Sequence, residues 1–333
     1  MLNFGEKHYG KMYQNWLDKT GLDIQTLRND KWVASNIELP RRRDNLSFDH
    51  HKEVASLEPP KQDKLLDQAE KENLTREQLR AEKQNIVLES HRESTLVIDP
   101  ALWLGDCIKL LKNIPDSSVD CIITDPPYGI NYQSDHRLLA FTPMTNDTKE
   151  EAQELLDKAL ATSSQKLKDG SHVFIFTSWQ SIGWMQETIA KYFTLKTPLV
   201  WVKNNWNPGD LEGAFASRCE IILHAHKGRR HLFGERDDNI KYFNRVPENT
   251  LVHPAEKPVP LFEYLIEKAT APGETILDMF MGTGPACQAA KNKGRKYIGI
   301  EIEKKYFDIA TMRLANLLPS FEPESDQVHH ATL

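Results

Sequence analysis

The sequence predicts an α/β fold, a doubly wound sheet preceded by an all-helical N-terminal region. Three observations carry that prediction. From about residue 95 onward, short apolar and β-branched runs alternate with helical patterns, the signature of strands joined by crossover helices. Residues 1–94 have helical periodicity and no clear strand. Two of the predicted strands run into unusual turns, Asp125-Pro126-Pro127-Tyr128 and Gly282-Thr283-Gly284, at the carboxyl ends where open α/β sheets bind ligands.

Composition sets the outer bounds. The chain has 333 residues, 39% hydrophobic and 27% charged, an ordinary soluble balance with room for two or three domains. No apolar run is long enough for a transmembrane helix, so no membrane partner is expected. The N-terminus lacks a signal pattern, and a cytoplasmic location is the expectation. The four cysteines, Cys107, Cys121, Cys219 and Cys287, form no CxxC pair, so reduced buried thiols are expected and no metal site. The net charge of −6 leaves only local basic clusters to suggest a nucleic-acid partner.

The first region reads as a series of helices. Residues 7–19 place Tyr9, Tyr13, Trp16 and Leu17 on one face, and a Gly21 turn leads to a second helix over 24–37 with Leu27, Trp32 and Val33 for packing. This outline is that of a helix-turn-helix, and equally of a packing or dimerisation module. Arg41, Arg42 and Arg43 follow as a basic cluster suited to phosphates. Short helices are expected over 50–57, from Pro60, and from the capping box Thr75-Arg76-Glu77-Gln78. His50 and His51 read as partly exposed residues at a helix start.

The α/β part, residues 95–320, opens near Ala101-Leu102-Trp103 and Gly105-Asp106-Cys107. Residues 119–123 form a buried strand leading into the Pro-Pro turn. The prolines fix φ and prevent a helix from starting at once, which leaves backbone carbonyls free as acceptors. A carboxylate, an aimed carbonyl and a stackable ring thus fall within four residues, which suits a planar base bearing an exocyclic amine. The same tetrapeptide also reads as a Pro-rich surface turn. Residues 130–147 form a loop long enough to close over a substrate. A helix over 149–167, a strand over 172–177, a helix over 180–192 and two paired strands, 199–202 and 220–224, come next. Residues 203–250 are a candidate target-recognition insertion, in which Arg229 and Arg230 stand among Asn and aromatic residues, a mixture that fits phosphates and base edges as well as a solvated loop. Residues 321–333 are expected to be a flexible tail.

The last constellation is a nucleoside-binding unit. Strand 274–278 ends in Asp278, the turn Met279-Phe280-Met281-Gly282-Thr283-Gly284 follows, a helix starts near Pro285, and the next strand ends in Glu301. Cys287 stands where the third glycine of a dinucleotide fingerprint would fall, which speaks for a nucleoside without phosphates. Pro285 is acceptable at a first helical position.

Five segments in this order, Gly105-Asp106-Cys107, Asp125-Pro126-Pro127-Tyr128, His253-Pro254-Ala255-Glu256-Lys257-Pro258, Asp278 to Gly284 and Gly299-Ile300-Glu301, resemble the amino-methylating DNA methyltransferases of adenine-N6 or cytosine-N4 type. The order is similar to the circularly permuted (beta) class of that family, in which the catalytic motif precedes the cofactor motif. The resemblance implies a Rossmann-like S-adenosylmethionine-dependent fold over residues 96–317 and site-specific methylation of double-stranded DNA. It further implies that Asp125, Pro126, Pro127 and Tyr128 hold the target base. Asp278, Phe280, Gly282, Thr283 and Gly284 would wrap the methionine part of the cofactor and Glu301 its ribose. Asp106 and Cys107 would contact its adenine, and Lys257 its carboxylate. Asp rather than Ser at 125 favours adenine N6; cytosine N4, an RNA amino-methyltransferase and a non-catalytic DNA-binding regulator are the alternatives. A homodimer and a cognate restriction endonuclease remain open as partners.

Overall fold

The structure is a computed structural model and describes residues 24–92, 98–130, 148–207, 212–213, 215–246 and 256–317. The features predicted within 1–23, 131–147, 251–255 and 318–333 lie outside the described residues. These include the first helix, most of the loop after the Pro-Pro turn, His253 and the tail. The described residues fall into two compact units that meet in sequence between residues 90 and 91.

The first unit contains α1 (Ile24–Asn36), α2 (Phe48–Val54), α3 (Pro59–Glu72) and α4 (Arg76–Arg92). Its core gathers Val33, Ile37, Val54, Leu65, Leu66, Ala69 and Leu79. The capping box forms as expected. The Gln78 amide donates to Thr75 Oγ1 at 3.3 Å, and the Thr75 amide donates back to Gln78 Oε1 at 2.8 Å. Three expectations change. Trp32 is 48% exposed, and Val33 and Ile37 take the packing positions. His51 is buried: its Nε2 accepts from the Arg43 amide at 3.0 Å, so Nδ1 carries the proton toward the Ser47 carbonyl at 2.9 Å. The half-buried arginine cluster is engaged by partners within this unit. Arg41 pairs with Asp63 at 3.1 Å, Arg43 pairs with Asp67 at 2.6 Å, and Arg42 donates to the Ile37 carbonyl at 3.0 Å.

The second unit is a nine-stranded sheet with helices on both faces. Its strands are β1 (Leu102–Leu104), β2 (Val119–Thr124), β3 (Leu167–Thr177), β4 (Thr194–Leu195), β5 (Leu199–Asn207), β6 (Ser217–Lys227), β7 (Ile240–Tyr242), β8 (Thr275–Asp278) and β9 (Lys296–Glu301). Its helices are α5 (Cys107–Leu110), α6 (Lys149–Lys166), α7 (Ile182–Ala190), α8 (Val259–Ala269), α9 (Pro285–Asn292) and α10 (Lys304–Leu314). The spatial order is β1-β9-β8-β2-β3-β6-β5-β7, with β4 on β6. β1, β9, β8, β2 and β3 are mutually parallel, and β6 runs antiparallel to both β3 and β5.

Period-two alternation along β2 explains the two faces. Ile122 packs with Leu156, Leu160, Met185 and Ile189 under α6 and α7, while Cys121 and Ile123 pack with Phe262, Leu265 and Ile266 of α8 and Ala286 and Ala290 of α9. The chain leaves β2 through α6 toward β3, and leaves β8 through α9 toward β9 on the other side. Strand order therefore reverses between β2 and β8, the point outside whose carboxyl ends open α/β sheets bind ligands. Pro285 is the first residue of α9 behind a left-handed Gly284 (φ +78°), a start that its missing amide permits.

The paired strands predicted beyond the sheet are longer than their apolar cores suggested. β5 and β6 continue to Asn207 and from Ser217, past the end of β3, whose last partner is Ile221. The 203–250 insertion also contains β7, parallel to β5.

Candidate active site

The end of β2 and the end of β8 are joined directly. The Thr124 hydroxyl donates to Asp278 Oδ1 at 2.7 Å, and the Phe280 amide reaches the same oxygen at 3.2 Å. Both strands stop at this level, so the Pro-Pro turn and the glycine turn leave the sheet side by side. Thr124 is fully buried and Asp278 nearly so. Burial pushes the Asp278 carboxyl up to about 7 against the pull of these two donors, and the charges of Asp125 and Glu301 add to the rise.

On the β8–β9 side of the joint, Glu301 ends β9 next to the glycine turn. Its Oε2 accepts from the Gly282 amide at 2.8 Å and its Oε1 from the Glu303 amide at 2.7 Å. Burial raises the Glu301 carboxyl, and these backbone donors oppose the rise. Gly282 has φ +53° and open space where a Cβ would point, which leaves a cradle above the turn. The Met281 amide is tied to the Ile300 carbonyl at 2.9 Å, and Thr283 is held through its carbonyl by Arg313 Nε at 2.8 Å. Gly299 lets this packing close: a Cβ there would stand 2.5 Å from Met281 Sδ and 2.7 Å from Cys287 Sγ. Asp106 caps α5 by accepting from the Ile108 amide at 2.8 Å, and the Gly105 amide donates to the Glu301 carbonyl at 2.8 Å. Asp106, Cys107 and Glu301 thus share one end of the sheet with Asp278 to Gly284. Burial, with Asp106 adding to it, pushes the Cys107 thiol up to about 12, so it is no nucleophile at neutral pH.

On the other side of the joint, the Tyr128 hydroxyl donates to Asp125 Oδ1 at 2.5 Å. Burial and the charges of Asp125 and Glu220 hold that phenol well above its usual range, so it remains a donor. Ser181 Oγ donates to the Tyr128 carbonyl at 2.7 Å and anchors the turn from the start of α7. Gly129 (φ +65°) then lets the chain pass close to α6, where a Cβ would lie 2.6 Å from the Lys149 Cα.

Three predicted residues take other places. Lys257, expected on the cofactor's carboxylate, pairs with the Pro-Pro turn and β6: its Nζ is 2.7 Å from Asp125 Oδ2 and 3.4 Å from Glu220 Oε2. It is driven there because a nearly buried ammonium needs carboxylate partners, and these two are in reach. Arg229 and Arg230, expected at nucleic acid, follow the end of β6, and Lys227 is the partner of Ser171 near the start of β3. They therefore sit at the sheet edge opposite the Pro-Pro turn, with Arg230 paired to Glu274 at 2.9 Å. The antiparallel course of β6 is the reason.

Sequence reading passed over Thr124, Ser181, Lys203 and Glu220. Glu220 carried a visible signal, an acid inside the apolar run Cys219 to Leu223, because a strand buries such a group only beside a partner. Lys203 Nζ is that partner at 2.5 Å from Glu220 Oε1, and Lys257 completes the row. Among the described residues no group of three or more His, Cys, Asp or Glu side chains is placed to hold a metal ion.

Comparison with known proteins agrees with this geometry. A family model described as "DNA methylase", of the N6/N4 type, matches residues 119–312. The Type II methyltransferase M.HinfI of Haemophilus influenzae is 28% identical over 249 residues, 65% of this chain and 68% of its own length. The crystal structure of an M1.HpyAVI–SAM complex superposes with a TM-score of 0.51 at 26% identity, covering 64% of this chain and 98% of that one. The cytosine-N4-specific PvuII DNA methyltransferase shares the fold, with a TM-score of 0.52 at 16% identity over 67% of this chain and 95% of that one.

Proposed function

Because the chain belongs to the N6/N4 family of S-adenosylmethionine-dependent DNA methylases, we propose that it methylates the N6 amino group of adenine at a specific site in double-stranded DNA. The observation that carries this reading is the Thr124–Asp278 joint, which brings a turn suited to an amine and a turn suited to a nucleoside into one crevice. The residues fit the cofactor. The open cradle over Gly282 suits its methionine part beside Asp278 and Phe280, the Glu301 carboxylate suits ribose hydroxyls, and Asp106 with the Cys107 backbone suits an adenine edge. When bound, S-adenosylmethionine supplies an electrophilic methyl group on a sulfonium.

The amine of adenine is a poor nucleophile because its lone pair is delocalised into the ring. The Asp125 carboxylate and the Pro126 carbonyl each accept one of its N–H bonds, which favours tetrahedral nitrogen and frees the lone pair. The Tyr128 ring stacks on the base. With the cofactor bound, the nitrogen would take the methyl group from the sulfonium, the S–C electron pair would stay with sulfur, and the nitrogen would shed one proton to solvent. No enzyme nucleophile is needed, and positioning supplies much of the acceleration. Asp at 125 supports adenine over cytosine through the family resemblance.

The target base must leave the duplex, at a cost of a few kcal/mol. On the edge of the sheet that bears the site, the exposed rings of Trp179, Trp206 and Phe215 are available to stack on nucleic acid. We assign recognition to the part of the 203–250 insertion at the site edge, the adjoining ends of β5 and β6, within a methyltransferase domain of residues 95–320. Residues 1–94 are then an accessory helical domain, and the order of β2 before β8 is the circular permutation.

The test is transfer of labelled methyl from S-adenosylmethionine to unmethylated genomic DNA, followed by nucleoside analysis. Label at adenine N6 is expected. Label at cytosine N4 overturns the base assignment, and label in RNA with none in duplex DNA overturns the polymer.

A further inference from the structure

Lys257 has two acidic partners of unequal quality. It makes a 2.7 Å hydrogen bond to Asp125 Oδ2 and a looser 3.4 Å ion pair to Glu220 Oε2. Lys203 holds the other oxygen of Glu220, so charges alternate from Asp125 through Lys257 and Glu220 to Lys203. The ammonium also lies 5.8 Å from the centre of the Tyr128 ring and 5.6 Å from that of Phe176. A purely structural salt bridge would need only one acid. Here a second one waits beside the first, inside the strand that borders the site.

Before a base enters, both oxygens of Asp125 are engaged, Oδ1 by Tyr128 and Oδ2 by Lys257. A charge-assisted bond from an ammonium is about twice as strong as one from a neutral amine. An Asp125 held tightly by Lys257 would therefore draw weakly on an incoming amino group. We infer that Lys257 is a movable counter-ion, and that Glu220 is a positioning residue that draws it off Asp125 when the target amine docks. The ammonium already lies within 3.4 Å of both acids, so the shift is short and its charge keeps a partner. Burial alone would lower the Lys257 ammonium, but the two carboxylates outweigh it and raise it, so the group stays cationic throughout and is not the base of the reaction. This inference rests on the reading of Asp125 as the acceptor of the target amine.

Glu220→Gln tests it by keeping size and removing charge, which leaves Lys257 locked on Asp125. With unmethylated genomic DNA as substrate, kcat is expected to fall roughly tenfold to a hundredfold. The KM for DNA, and the S-adenosylmethionine affinity from titration calorimetry, should change by less than about threefold, under 1 kcal/mol. Glu220→Asp, which keeps the charge, should recover at least part of the turnover. Unchanged kcat in Glu220→Gln overturns the inference. So does a loss that tracks cofactor affinity and melting temperature, or a Glu220→Asp variant no better than Glu220→Gln. A wild-type enzyme that transfers no methyl to DNA defeats the reading of the site itself, whereas an active wild type with an equally active Glu220→Gln defeats only the counter-ion role.

Discussion

Thr124 and Asp278, far apart in sequence, close the last rung between β2 and β8 through a 2.7 Å hydrogen bond, and everything chemical in the molecule stands on either side of it. Thr124→Val keeps the shape and removes the donor. A buried acceptor that loses a partner costs about 1–3 kcal/mol. Melting temperature should fall, and S-adenosylmethionine affinity with it, because the Asp278 side chain is then tethered by the Phe280 amide alone. Unchanged affinity would show that the joint is not needed to shape the cofactor turn.

Asp125→Ala separates the two sides. Methyl transfer to DNA should drop below detection, while calorimetric binding of S-adenosylmethionine stays nearly intact, since Asp125 lies on the base side of the joint. Unchanged transfer would refute its assigned role.

Asp278 sets a pH dependence. Its folded carboxyl stands near 7 against an ordinary 3.8, so the folded state holds a proton that the unfolded chain releases. The associated stability is complete below about pH 4 and is lost as pH rises through 7. Asp278→Asn removes that loss. The stability gain over wild type should be larger at pH 8 than at pH 5, by on the order of 1–3 kcal/mol. Denaturant titrations at the two pH values read it directly, and a gain no larger at pH 8 than at pH 5 contradicts the account.

The histidines between β3 and β6 act in the opposite sense. His172 and His224 are buried with their rings bonded at 3.1 Å. Burial first, then neighbouring charge from His226 and from Arg230 or Lys196, pushes each down to about 4 from 6.5. The folded state keeps them neutral, so stability is present above about pH 6.5 and is lost as pH falls toward 4. The His224 ring stacks on Phe174 at 4.8 Å, and His224→Phe should flatten the acid limb of a melting curve taken across that range. An acid limb as steep as in wild type would exclude the pair as its source.

Much of the fold was legible because it rests on local signals. The Thr75 capping box, the buried apolar run of β2 and the Pro285 helix start are each fixed by a few neighbouring residues, and each forms as read. The two turns were legible as chemistry because prolines and glycines restrict the backbone wherever they occur. What escaped depended on distant partners. The direction of β6 decides that Arg229 faces away from the site, and no feature within residues 227–231 encodes it. Lys257 pairs across the sheet with Asp125, and Arg41 and Arg43 pair with acids on a helix that comes later in the chain.

That reversal of the basic turn yields a contrast between variants. Trp206→Ala and Phe215→Ala should each weaken DNA binding by about 1–3 kcal/mol with little change in salt slope, as expected for lost stacking. Arg229→Ala, on the far edge, should leave both affinity and salt slope unchanged. Binding isotherms at several salt concentrations decide it, and a flatter slope in Arg229→Ala would return that turn to the interface.

The central rung between β2 and β8 also has a consequence for how the enzyme comes into being on the ribosome. Its two halves are translated at opposite ends of the catalytic domain, so a nascent chain already displaying the Asp-Pro-Pro-Tyr turn has no donor pocket until residue 301 has emerged. Cutting the gene anywhere between the codons for α6 and α8 would yield two inert fragments, and only their reassociation along that seam would restore methylation.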